Sequence, residues 1–198
     1  MNRGGADDIA SRHRRRAARL LLIALAALLL GQAGYLQAKA LLAQVLLEHA
    51  WQRSDAGRTA TRPWPWADTR PVARLQVAAL DVDLIVLAGD SGRTLAFGPA
   101  WNEASALPGH AGASIVSGHR DTHFAFLQRL RPGDGLEIER AGLRLRYRVR
   151  ATRVVDARTT RLATGGADDE RLLLVTCYPF DAWAAGGPLR YVVEAERR

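Results

Sequence analysis

Cys177 is the one cysteine in 198 residues, and it stands in "LLLVTCYPF" (172–180), after an apolar run and before an aromatic-proline turn. One cysteine forms no intrachain disulfide and no multi-cysteine zinc site. Two readings remain: a small buried hydrophobe or a nucleophile. A free thiol titrates near about 8.5 and needs a base or a cationic neighbour to react at neutral pH. Of the five histidines, His13 lies in a basic tail and His49 in a helical stretch, which leaves His110, His119 and His123. His110, in "LPGHAG", reads as a surface loop residue. His119, in "SIVSGHRDTHFAF", follows an apolar stretch and a glycine, so it ends a strand as Cys177 does. Thiol attack on a carbonyl creates an oxyanion, which requires preorganised donors. Arg190, in "GGPLRYVV" across a glycine-rich loop from Cys177, begins the last strand and supplies a fixed positive charge there.

The elements that position these groups are strands. In "LRLRYRVR" (143–150), Leu143, Leu145, Tyr147 and Val149 alternate with four arginines, the pattern of a strand with one dry face. Further strands are expected at "VARLQV" (72–77), "LIVLA" (84–88), "ASIVSG" (113–118), "GLEIE" (135–139), "RVVDA" (153–157), "RLLLVT" (171–176) and "LRYVVEAE" (189–196), with turn residues between them. Only "FAFLQRL" (124–130) reads as a short helix. So many short strands in one domain imply an all-β sandwich or closed barrel.

The net charge of +8 is half tail: residues 1–19 hold six arginines against Asp7 and Asp8. The remaining basic residues are spread along strands rather than gathered with aromatics, which disfavours nucleic acid as a partner. Residues 20–38 carry no charge, and "LLLIALAALLLGQAGYL" approaches the roughly 20 helical residues that cross a bilayer. Arginines on its N-terminal side place residues 1–19 in the cytoplasm and the body outside. The apolar run exceeds the usual signal-peptide core of about 7–15 residues, which favours a retained anchor, although "AKA" (38–40) resembles a cleavage site. The expected organisation is a cytoplasmic tail (1–19), a membrane helix (20–38), a helical stalk and proline-rich linker (39–71) and a β domain (72–198).

Two other readings compete. His119 and His123, spaced i, i+4, would offer a zinc pair on a helix with Asp121 or Cys177 completing the set, but the stretch follows a strand and a glycine. A non-catalytic, membrane-anchored barrel that binds or scaffolds exported proteins, with Cys177 in its core, fits the fold as well.

Taken in order, "GHRDTHF", "LLVTCYPF" and "PLRYVV" resemble the motifs of the sortases, membrane-anchored cysteine transpeptidases, over roughly residues 20–196. The family's nucleophile motif, threonine-leucine-any-threonine-cysteine, is matched by Leu174, Thr176 and Cys177, with Leu173 replacing the first threonine. "WPWADTRPVARL" (64–75) and "LAFGPAW" (95–101) look like the Gram-negative, class GN branch. The resemblance implies a closed eight-stranded β-barrel and an exported protein substrate with a C-terminal sorting signal related to Leu-Pro-X-Thr-Gly; no cofactor or metal ligand set is expected from the residues. It further implies Cys177 as nucleophile, His119 as general acid and base, Arg190 as stabiliser of the oxyanion or substrate, and an amine acceptor. Asp121 is a candidate to orient His119, although a loop carboxylate also fits a plain surface role. Thr176 is a candidate for substrate contact, although strand alternation turns it away from the side of Cys177.

Overall fold

The computed structural model describes residues 4–56, 58–162, 170–183 and 186–198, with side chains from Arg19 onward except Leu36. Two compact units divide it, 1–42 and 43–198.

The first unit is helical. Helix α1 (Gly4–Arg53) begins in it, and its stretch from Arg19 is long and apolar enough to cross a membrane. Leu20, Leu21, Leu22, Ile23, Leu28, Leu29 and Leu30 are all exposed, so the apolar surface is not spent on a protein core. That pattern fits a membrane anchor or a signal sequence.

The second unit is a closed barrel of eight strands: β1 (Pro71–Val77), β2 (Val82–Ala88), β3 (Ala100–Trp101), β4 (Ala113–Ser117), β5 (Gly135–Arg140), β6 (Leu143–Asp156), β7 (Arg171–Cys177) and β8 (Leu189–Arg197). Around the barrel they run β1-β2-β3-β4-β7-β8-β6-β5, and β5 pairs back onto β1. The β2–β3 and β4–β7 pairs are parallel and the others antiparallel. Alternation sends one face of each strand inward, where Leu75, Val86, Val116, Ile138, Tyr147, Leu172, Leu174 and Val193 form the core with Phe124 and Leu127 from the connection after β4. Each such fully buried large side chain contributes about 1.5–3 kcal/mol.

The expected fold, a closed eight-stranded barrel after a long apolar helix, is the one observed. The expected strands at 143–150 and 153–157 are one strand, β6, with an irregularity between Val149 and Ala151. Residues 143–148 of this strand pair with β5 and residues 147–156 with β8. Strand β3 has two residues, too short for any periodic pattern. The short helix expected at 124–130 is a 3-10 helix, Ala125–Arg129.

The last turns of α1 belong to the barrel unit. Leu47 packs with Leu87 and Ala100, and Ala50 and Trp51 are buried. Gln44 Nε2 donates to the Phe97 carbonyl at 2.8 Å, and Arg74 bridges Glu48 at 3.1 Å and Asp83 at 2.6 Å. The proline-rich stretch read as a linker lies against this same unit. Trp64 meets Phe97 edge-on at 5.0 Å, Ala67 is buried, and Thr69 Oγ1 donates to the Ala88 carbonyl at 2.7 Å.

Candidate active site

Cys177 is the last residue of β7, with β4 on one side and β8 on the other. In the parallel β4–β7 ladder Ser117 faces Val175, and the ladder continues one step as the Gly118 amide donates to the Val175 carbonyl at 3.1 Å. The register offset of 58 residues is also the separation of His119 from Cys177. His119 therefore leaves β4 level with the end of β7. On the other flank Cys177 pairs directly with Arg190. Cys177 and Arg190 are thus cross-strand partners, and His119 follows the strand on the other flank of β7.

Cys177 and Arg190 also share a face. Leu172 and Leu174 point into the barrel, whereas Leu173 and Val175 join Ala113, Ile115, Val155, Leu162 and Val192 in an apolar cluster outside it. Alternation puts Cys177 on that outer side, half-buried. Arg190 is two residues from Val192 and so lies on the same face as its partner Cys177. Ile115, Val155 and Val175 are each half-buried, so a partly open apolar floor leads along the sheet to the thiol. Beyond Cys177 the chain turns at Tyr178, Pro179, Phe180 and Asp181, which with Gln128 line a cleft of about 380 Å³.

Gly118 makes the His119 turn possible. A Cβ there would sit 2.6 Å from the ring of Phe124, which is fully buried and has no room to retreat. The ring belongs to the turn itself, since the Phe124 amide donates to the His119 carbonyl at 2.9 Å. His119 is exposed at the surface of this turn. Residues 120–124 are turns rather than helix, so His119 and His123 do not share a helical face. Among the described residues no group of three or more His, Cys, Asp or Glu converges as a metal site.

Arg190 Nη1 donates to the carbonyls of Gly187 at 2.8 Å and Leu189 at 2.9 Å, which anchors its head beside the strand it begins. Thr176 points inward, and its Oγ1 donates to the Gly118 carbonyl at 2.7 Å. Thr176 thus supports the histidine turn from beneath, on the opposite face from the thiol. The Asp121 carboxylate accepts from Arg120 Nε at 3.1 Å. His110 and His49 are exposed at the surface.

Two features of the site escaped the sequence reading. Arg120 is buried, its side chain 4% exposed, where an arginine in a polar loop reads as solvated. His123 lies close enough to His119 to feel its charge: burial first, and His119 second, hold the His123 imidazole below the usual histidine range.

Residues 75–198 match the family model of the Sortase domain. Sortase D of Bacillus subtilis (strain 168) is 30% identical over 123 residues, which cover 62% of each of the two chains. Three solved structures share the fold. The Sortase D5 transpeptidase of Clostridium perfringens has a TM-score of 0.64 at 20% identity, over 79% of this chain and 98% of that one. Sortase A from Corynebacterium diphtheriae gives 0.61 at 24% identity, over 79% and 84%. Sortase C-1 from Actinomyces oris gives 0.58 at 27%, over 65% and 72%.

Proposed function

Because the chain belongs to the sortase family, we propose that it is a membrane-anchored cysteine transpeptidase in which Cys177, His119 and Arg190 act as one unit. The observation that carries this reading is that Cys177 and Arg190 are cross-strand partners, while Ser117, two residues before His119, pairs with Val175, two residues before Cys177. In the proposed reaction the Cys177 thiolate adds to a peptide carbonyl, and the charge that develops on oxygen is met by Arg190. Collapse breaks the C–N bond, and the leaving amine takes a proton from the His119 imidazolium. An incoming amine then gives a proton to His119 as it attacks the thioester, and thiolate is released.

The apolar floor of Ile115, Val155 and Val175 fits a substrate that presents small apolar side chains ahead of the scissile bond. The likeness to the sortases, rather than the floor, is what points to an exported protein with a C-terminal sorting signal of the Leu-Pro-X-Thr-Gly kind as substrate. The N-terminal apolar helix is read as a retained single-pass anchor, with residues 1–19 in the cytoplasm and the barrel on the far side. The "WPWADTRPVARL" and "LAFGPAW" stretches favour the Gram-negative branch of the family.

The test uses the full chain in detergent with a quenched fluorescent Leu-Pro-X-Thr-Gly peptide and a triglycine acceptor. Release of fluorescence, with a ligated product, is expected for the natural chain and not for Cys177→Ala. Cleavage by Cys177→Ala, or no turnover of any such peptide by the natural chain, overturns the reading.

A further inference from the structure

The Arg120 guanidinium lies between the turn that carries His119 and the loop that follows Cys177. Nη1 donates to the Pro179 carbonyl at 2.8 Å and Nη2 to the Ala182 carbonyl at 2.7 Å, while Nε reaches the Asp121 carboxylate at 3.1 Å. Arg120 is covalently next to His119, and Pro179 is two residues beyond Cys177. The side chain therefore ties the turn that begins at His119 to the loop that follows Cys177.

A buried cation is a costly way to hold two loops together. Desolvation offsets much of any gain, and an apolar residue of similar volume often contributes as much stability. What the guanidinium supplies beyond stability is geometry: a planar fork whose two ends bind two carbonyls at fixed separation. A lysine ammonium carries the same charge on one atom and has no such fork.

We propose that Arg120 is a positioning residue that sets the distance between His119 and Cys177 by clamping the Pro179 and Ala182 carbonyls, with Asp121 acting through it. This rests on the reading of Cys177 and His119 as the reacting pair. The clamp holds the two loops in the relation the proton transfer needs, and a misplacement of about 1 Å costs on the order of 100-fold in rate.

The experiment compares the full-length chain with Arg120→Lys and Arg120→Ala. It reads kcat and KM on the sorting peptide, the pH profile of Cys177 alkylation by iodoacetamide, and thermal unfolding, with His119→Ala as reference. The expected result for Arg120→Lys is a fall in kcat of about 10- to 100-fold, little change in KM, and an alkylation profile moved toward that of His119→Ala. Arg120→Ala should regain part of its kcat when ethylguanidinium is added. Should either variant fail to fold, the other carries the test. Variants that unfold at lower temperature but keep the natural kcat and alkylation profile below that temperature overturn the clamp and leave the cysteine–histidine reading intact. A natural chain that neither turns over peptide nor shows a His119-dependent profile overturns both.

Discussion

Thr176 Oγ1 donates to the Gly118 carbonyl at 2.7 Å, so the residue before Cys177 is bonded to the residue before His119. The bond is buried and lies on the inner face of the sheet, opposite the thiol. It fixes the end of β7 to the end of β4 one step beyond their last ladder pair, Ser117 and Val175.

Removing that hydroxyl leaves a buried carbonyl without this donor, at a cost of about 1–3 kcal/mol. Thr176→Val is expected to lower stability by that amount in chemical denaturation and to lower peptide turnover, while Thr176→Ser retains most of both. A valine variant as stable and active as the natural chain, with the loss confined to Thr176→Ser, would show that the methyl group matters and the hydrogen bond does not.

Gly118 carries a second prediction. An added Cβ meets the buried Phe124 ring at 2.6 Å, and overpacking of this kind costs about 1–3 kcal/mol. Gly118→Ala should therefore be destabilised and slow in turnover, and pairing it with Phe124→Leu should restore part of the stability. An alanine variant as stable and active as the natural chain would show that the turn has slack.

The His119–His123 pair is testable by titration. Burial, and to a lesser extent the neighbouring His119, lower His123 from the usual histidine range near about 6.5, so His123 is expected to be mostly neutral at pH 7. Proton NMR of the imidazole resonances should place its midpoint below that range. In His119→Ala the midpoint should rise yet stay depressed by burial. A midpoint unmoved by the loss of His119 would contradict the contact.

Acid stability follows from the Asp83 carboxyl of β2, held by Arg74 and Gln76 of β1. Burial alone would raise Asp83, but hydrogen bonds from Arg74 and Gln76 outweigh it and hold the carboxyl below its ordinary range. A depressed carboxyl stabilises the fold above its unfolded value, near about 3.9, and that contribution is lost as pH falls through the lower folded value. Melting temperature should therefore drop below about pH 4, and less steeply in Asp83→Asn. Parallel profiles for the two proteins would exclude Asp83 as a source of the acid slope.

Much of this was legible in the residues. The apolar runs of β4 and β7 end in His119 and Cys177, so both could be read as strand ends before any pairing was known. Thr176 was expected to face away from the thiol by alternation, and it does. Their common level depends on a parallel register of 58 residues, which no local pattern encodes. Arg120 was invisible for a different reason: burial of an arginine is decided by carbonyls contributed from Pro179 and Ala182, distant in sequence. The contacts of the 54–71 stretch were hidden for the same reason. Its prolines and polar residues read as a linker, while Trp64, Ala67 and Thr69 find partners on the barrel.

The central claim is that Cys177 is a nucleophile that forms an acyl-enzyme with a sorting peptide. Intact-mass spectrometry of the full chain after incubation with a Leu-Pro-X-Thr-Gly peptide, without amine acceptor, measures this directly. The account predicts a mass gain equal to the acyl fragment, located on Cys177 by peptide mapping, removed by hydroxylamine and absent in Cys177→Ala. Peptide cleavage with no adduct on Cys177, or an adduct that persists in Cys177→Ala, would contradict it.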